Sequence, residues 1–262
     1  IFRKWERDSE GVKTFYCEFE RDVYNQFGPP GYPMNRERGK LGYINPDQGS
    51  IEITDVRTWT PEPQAPAQPG AANPTEPQPL RGDWKAHEGT IGDHWVCDGE
   101  YFYEHRHNVK QLVVTPIPPD MQGQNIVDGP LPFLFGAEAD KLNQRYWFRV
   151  ARELCDKEFT RIGIQALPKT QVDLANFTEV YVILRNEPGK PLMPMAMRLR
   201  HPDGSHDDYR FNLAEARVNA PLDRMFKGMF LAPRTPRGWT RVEEPVQQAQ
   251  QLPQAEQGMP RQ

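Results

Sequence analysis

From Trp95 to Val114 the chain alternates. Trp95, Val96 and Cys97 lead into Asp98-Gly99, a dipeptide that readily supplies the positive φ angles of a tight hairpin. Tyr101, Tyr103, His105 and His107 then alternate with Phe102, Glu104 and Arg106. Strand side chains point to opposite faces with period two, so this stretch predicts two antiparallel strands, with Gln111 to Val114 opening a third. Thr14 to Tyr24 has the same period, with Phe15, Cys17, Phe19 and Val23 on one face and Glu18, Glu20 and Asp22 on the other. Lys40 to Ile44 and Ser50 to Val56 predict two more strands around a turn at Asn45-Pro46-Asp47. Ahead of them, Phe2, Trp5 and Val12 form the apolar stripe of an N-terminal helix.

The second half repeats the pattern. A short helix is expected at Ala137 to Gln144, followed by strands at Arg145 to Ala151, Arg161 to Ala166, Glu179 to Arg185, Met193 to His201 and Asp208 to Ala216, with a hairpin turn at Asp203-Gly204. Met195, Met197 and Leu199 share one face and Arg198 and Arg200 the other, the signature of an antiparallel sheet wrapped around its own contents. Before the helix lies Gly129-Pro130-Leu131-Pro132-Phe133-Leu134-Phe135-Gly136, an apolar loop whose prolines stop it from joining a strand and whose glycines provide hinges.

Two stretches stand apart. Residues 60–82 are dominated by proline, alanine and glutamine, and 243–262 have the same character. With few apolar side chains to offset the entropy of ordering, both are expected to be flexible: an insert within a single domain over residues 1–242, and a disordered tail. The insert reads either as a loop between two strands or as a docking ligand for a partner.

The 262 residues are 37% hydrophobic and 26% charged with a formal charge of −4, enough to bury a core and without the basic stripe of a nucleic-acid binder. No apolar run approaches the roughly 20 residues of a membrane span. Cys17, Cys97 and Cys155 are too widely spaced for a disulfide framework; one bridge is permitted and none is required.

Catalytic chemistry finds little purchase. His105 and His107 point to one side of a strand and could begin a metal site, but a third ligand has to come from His94, His201 or an acid, and Arg106 and Lys110 add positive charge. The favoured expectation is hydrogen-bonded histidines on the wet face, with no metal and no cofactor. Asp207-Asp208 and Glu243-Glu244 lie in turn-like or tail sequence and read as solvated charge. Nucleophile elbows, paired cysteines and glycine-rich phosphate loops are missing from the sequence, so no enzyme is expected.

Aromatic rings remain. Phe15, Phe19, Tyr43, Trp95, Tyr101, Tyr103, Phe133, Leu134 and Phe135 are the candidates to line or cover a cavity, since rings offer large apolar area at low entropic cost. Two outcomes stay open: a ligand-accessible cavity, or a core filled by its own side chains.

The succession FYCEFER, GKLGYINPDQGSIEI, DGEYFYEHRHNVKQLVV, PLPFLFG, ALPKTQ, EVYVILR, AMRLRHPDGSHDDYRFNLAEARVN and FLAPRTPRGW, over Phe2 to Trp239, resembles the bacterial lipoprotein-carrier family (LolA/LolB-like), within it the planctomycete-type branch. The resemblance implies a mainly β fold: a single open, unclosed antiparallel β-barrel of about eleven strands, with an N-terminal helix and short lid helices over an apolar cavity. It implies a non-catalytic protein of the cell envelope, periplasmic or extracellular and at most peripheral to the membrane, with its signal peptide removed from the chain that begins at Ile1. The implied partner is a lipid acyl chain or a lipoprotein; the alternative is a structural or accessory subunit docking an envelope protein. One residue departs from the family. The carrier's strand-end arginine before proline, which latches its lid, is Asn45 here, and an uncharged amide does not carry the latch over.

Overall fold

Phe2 and Trp5 of the apolar N-terminal stripe lie in α1 (Phe2–Glu10), while Val12 falls beyond its end, and the helix leads into three long strands, β1 (Thr14–Tyr24), β2 (Asn35–Ile44) and β3 (Gln48–Pro61). This is a computed structural model, and it describes residues 1–29, 31–62, 81–87, 92–119, 122, 139–221 and 223–245. The strands β4 (Gly82–Ala86), β5 (His94–Cys97), β6 (Tyr101–Arg106) and β7 (Gln111–Pro116) complete the first half. Then come α2 (Ala139–Arg145), β8 (Tyr146–Val150), β9 (Arg161–Pro168), α3 (Gln171–Asn176), β10 (Glu179–Arg185), β11 (Met193–Arg200) and β12 (His206–Phe211). The last described elements are β13 (Arg217–Val218), α4 (Arg224–Gly228) and β14 (Thr240–Glu243).

All described strands join one open sheet, ordered β14-β7-β6-β5-β3-β2-β1-β12-β11-β10-β9-β8, with β13 beside β1 and β4 beside β3. The β14–β7 pair is parallel and every other pair is antiparallel. The sheet has fourteen strands, and the three beyond the expected eleven or so have a common origin. The short β4, β13 and β14 contribute two to five residues each, and none carries a full period-two pattern of its own.

Registers confirm the alternation and correct its limits. Phe15 faces Tyr43, Cys17 faces Leu41 and Phe19 faces Gly39. A Cβ on Gly39 would lie 2.6 Å from the Phe19 ring and 2.8 Å from the Glu52 carbonyl oxygen, so the ring can cross β2 only where a side chain is missing. Residues 212–216, expected as strand, turn away after Phe211, where the Leu213 and Glu215 amides bond back to Phe211 and Asn212. Thr60, Pro61 and Gly82 were expected in the flexible insert but belong to the β3–β4 hairpin, where Pro61 pairs with Gly82. Residues 63–80 lie outside the described residues. Glu243, expected to begin the tail, ends β14, and the Glu244 amide still bonds to the Val114 carbonyl.

The inner face carries the core. Phe15, Cys17, Phe19, Leu41, Tyr43, Ile51 and Ile53 from the first half meet Ile164, Val182, Met197, Leu199 and Phe211 from the second. The helices lie over this face: Trp5 of α1 and Leu142 of α2 are members of the same cluster, and the Phe2 and Phe148 rings sit 5.1 Å apart. Asp8 anchors α1, accepting from Lys4 Nζ at 2.6 Å and from the Leu192 amide at 2.8 Å.

The outer face is crossed by a strap. After β13, Asn219 accepts from the Lys13 amide at 2.7 Å and donates from Nδ2 to the Gly11 carbonyl at 2.7 Å, tying the segment to the α1–β1 corner. Asp223 caps α4 by accepting from the Phe226 amide. Phe230 is buried over Gly42, where a Cβ would come within 2.9 Å of its ring. From there the chain reaches Trp239 and β14 at the far edge of the sheet.

Candidate functional site

The aromatic candidates divide between two faces. Phe15, Phe19 and Tyr43 are 3%, 3% and 4% exposed on the inner face, and Trp95, register partner of Ile51, packs against the same cluster. Tyr103 pairs with Val96 and therefore points outward with Val96, Leu112 and Val114; its hydroxyl donates to Asp98 Oδ2 at 3.0 Å. Tyr101, two residues away, shares that outer face and is 40% exposed. The structure thus brings together Phe15, Phe19, Tyr43 and Trp95 and separates Tyr101 and Tyr103 from them. Phe133, Leu134 and Phe135 lie outside the described residues.

At one end the inner face turns polar. Arg21, next inward after Phe19, bonds Glu37 at 2.7 Å through Nε, and its Nη1 reaches Asp93 at 2.7 Å and the Tyr209 hydroxyl at 3.1 Å. Burial opposes the Arg21 charge, but Tyr209, Glu37, Asp93 and Asp207 outweigh it and hold the guanidinium ionised. Beside them His201 Nε2 meets Asp207 at 3.2 Å, a contact that raises the histidine's pKa. The period-two alternation from Phe15 already assigned Arg21 to the inner face, a signal the charge of the residue concealed.

Asp207 and Asp208 do not form an acid/base pair. Successive strand residues point to opposite faces, and while Asp207 holds His201, Asp208 receives two bonds from Arg198 at 2.6 Å each. Glu243 and Glu244 are solvent-exposed, as expected, and each also has a surface partner, Arg241 at 3.3 Å and Arg106 at 3.4 Å.

The histidines differ most from expectation. His94 pairs across β5 and β6 with His105, their rings stacked at 3.9 Å and 3°. His107 lies 6.0 Å from His105, and the Trp239 ring closes over both at 5.9 and 4.9 Å. They occupy the outer face under the strap, His105 buried at 8% exposed and His94 and His107 half-buried, and His105 Nδ1 and His107 Nε2 have no hydrogen-bond partner. A metal ion binds in the plane of each imidazole, and two parallel planes 3.9 Å apart share no such point. Among the described residues no group of three histidines, cysteines or acids is arranged to hold a metal.

The three cysteines are free thiols. Burial pushes Cys17 up to about 12 and Cys97 up to about 11, which keeps both protonated and unreactive.

A groove of about 390 Å³ lies on the outer face over β10–β12, floored by Tyr181, Ile183 and Ala196. Its arginines are already engaged, Arg198 with Asp208, Arg200 with Glu179 at 3.2 Å and Arg210 with Asp22 at 2.9 Å.

No family model and no curated protein matches this sequence. Solved structures similar to the chain include an uncharacterized conserved protein from Thermus thermophilus, at 10% identity and a TM-score of 0.44, covering 92% of this chain and 96% of that one. A DUF1329 family protein from Desulfovibrio piger is 8% identical with a TM-score of 0.36, covering 87% and 97%. A LolA superfamily protein from Nitrosomonas europaea is 10% identical with a TM-score of 0.34, covering 86% and 96%.

Proposed function

We propose that the protein is a non-catalytic docking platform, an accessory subunit that presents its open sheet to a protein partner in a cell-envelope assembly. The observation that carries this reading is the occupied interior: Phe15, Phe19 and Tyr43 belong to one buried cluster with residues from both halves of the sheet and from the covering helices. Side chains packed on one another in this way leave little room for an acyl chain among the described residues. The free edge supports the same reading. Among the described residues strand β8 ends the sheet, and its Trp147 is 66% exposed, with Lys169 Nζ 3.9 Å above the ring. Such an edge offers a partner unpaired backbone groups and an aromatic foothold.

A second reading, an apolar-ligand carrier, is favoured by one detail of α1. The Trp5 side chain is 2% exposed, yet its indole Nε1 is buried without an acceptor, an unmade bond that weakens the seat of the helix. Lifting α1 would open the face lined by Phe15, Phe19, Tyr43 and Trp95. Titration with a fluorescent fatty acid, combined with native mass spectrometry of the purified protein, separates the two. The platform reading expects a single unliganded mass and no saturable binding; co-purified lipid, or saturable binding that Phe19→Ser abolishes, would replace it with the carrier.

A further inference from the structure

We infer that His94, His105 and His107, packed beneath Trp239, form a proton-operated latch that holds the C-terminal strap on the sheet at neutral pH and releases it on acidification. The latch joins separate parts of the chain. His94 comes from β5, His105 from β6 and His107 from the turn that follows, while Trp239 belongs to the strap and stands edge-on to His105 and His107 at interplanar angles of 66° and 85°.

A neutral imidazole has one donor and one acceptor nitrogen, whereas an imidazolium has two donors, each needing an acceptor. The buried His105 Nδ1 and His107 Nε2 meet none, so the site tolerates lone pairs and not added N–H groups. The stack of His94 on His105 also sets any two charges within one ring spacing of each other. A backbone hydrogen bond at His94 and the Glu52 carboxylate favour the charged form of His105 and offset this in part, but burial outweighs them. Glu52, register partner of His94 on β3, is the nearest carboxylate by register; on β14, Arg241 and Glu243 are paired with each other at 3.3 Å; Lys110 in the β6–β7 turn is a further positive charge.

The strap's hold at this end is slight. β14 makes four register pairs with β7, and most of its side chains are exposed. Two flanking backbone bonds, Thr240 amide to Lys110 carbonyl and Glu244 amide to Val114 carbonyl, both at 3.0 Å, and the 3.4 Å Arg106–Glu244 pair complete it. Release would free the edge of β7, a row of unpaired backbone groups open to a partner.

Burial lowers the pKa of all three histidines, that of His94 to about 4 with help from His105 and His107. A histidine depressed in the docked state takes up its proton on release. The docked form therefore loses stability as pH falls below the ordinary value of 6.5 towards about 4. For His94 alone, the release equilibrium shifts about thirtyfold between pH 7.5 and pH 5.0.

Hydrogen exchange of peptides covering 239–244, corrected for intrinsic rates, tests this at the two pH values, with peptides from β1 and β2 as internal reference. Protection of the strap should fall at least about tenfold at pH 5.0 while the reference holds, and single replacements His94→Phe and His107→Phe, which keep an aromatic ring, should each reduce the change. Equal strap protection at both pH values in the unmodified protein overturns the latch whether or not the variants fold. A pH-dependent loss that both folded variants retain in full overturns it too, because acid is then acting elsewhere.

Discussion

Gly39 is the position where the smallest change has the largest expected effect. Gly39→Ala sets a methyl group against the Phe19 ring and the Glu52 carbonyl, and the carbonyl belongs to backbone held in the β2–β3 ladder. Overpacking of this kind costs about 1–3 kcal/mol, so urea denaturation should register a loss in that range; an unchanged midpoint would place the ring elsewhere. His201 provides the opposite pH signature to the stacked histidines. Asp207 raises its pKa, so its contribution to stability is complete below 6.5 and disappears as pH rises through the raised value. Stability measured from pH 6 to pH 8 should decline more in the unmodified protein than in Asp207→Asn, and parallel profiles would sink the assignment. Period two identified Phe15, Cys17 and Phe19 as inward from the sequence alone. The same rule placed Tyr101 and Tyr103 with His105 and His107, so cavity tyrosines and wet-face histidines could not both hold.

At the scale of elements, the strap is anchored by rings and its far end by little else. Phe226 and Phe230 are each 4% exposed and 5.2 Å apart, above Gly42 and beside Tyr16. Phe230→Ala removes a buried ring worth about 3–5 kcal/mol when fully buried, but from the outer face. Exchange protection of β13, α4 and β14 should drop together while β9–β12 stay protected; uniform loss across the sheet would mean that the strap is integral to the core. Helix α3 was legible in principle, because Thr170 and Asp173 have the spacing of an N-terminal cap, and the Asp173 amide indeed bonds Thr170 Oγ1 at 3.1 Å. Strands β4 and β14 were not legible. At five and four residues they have too few positions for a pattern, and their neighbours in the sheet are set by distant registers.

For the whole molecule, the proline-rich stretch can be examined from its flanks. Pro61 pairs with Gly82, and the Glu62 amide bonds the Arg81 carbonyl at 3.0 Å, so the two ends already meet as a hairpin. Replacing residues 63–80 with Asn-Gly should preserve that pairing and leave the melting temperature within a few degrees, since surface changes away from buried features usually stay within about 0.5 kcal/mol. A cooperative loss of stability would show that the removed stretch is packed on the domain. The occupied interior belongs to this scale as well, because it depends on both halves of the sheet and the helices over them.

The sequence by itself determined the class of the protein: alternating faces, turn dipeptides at Asp98-Gly99 and Asp203-Gly204, and an apolar N-terminal helix, each a local property that a few neighbouring residues decide. Only the tertiary structure decided which face each half of the pattern serves. Period two says that Tyr103 and Trp95 alternate with their neighbours but not that β5 and β6 turn them to opposite sides, which follows from the Val96–Tyr103 register. It also decided that His94 stacks on His105 under a strap from the far end of the chain, since a contact between residues 105 and 239 is fixed by packing and leaves no periodic trace in the segments that make it.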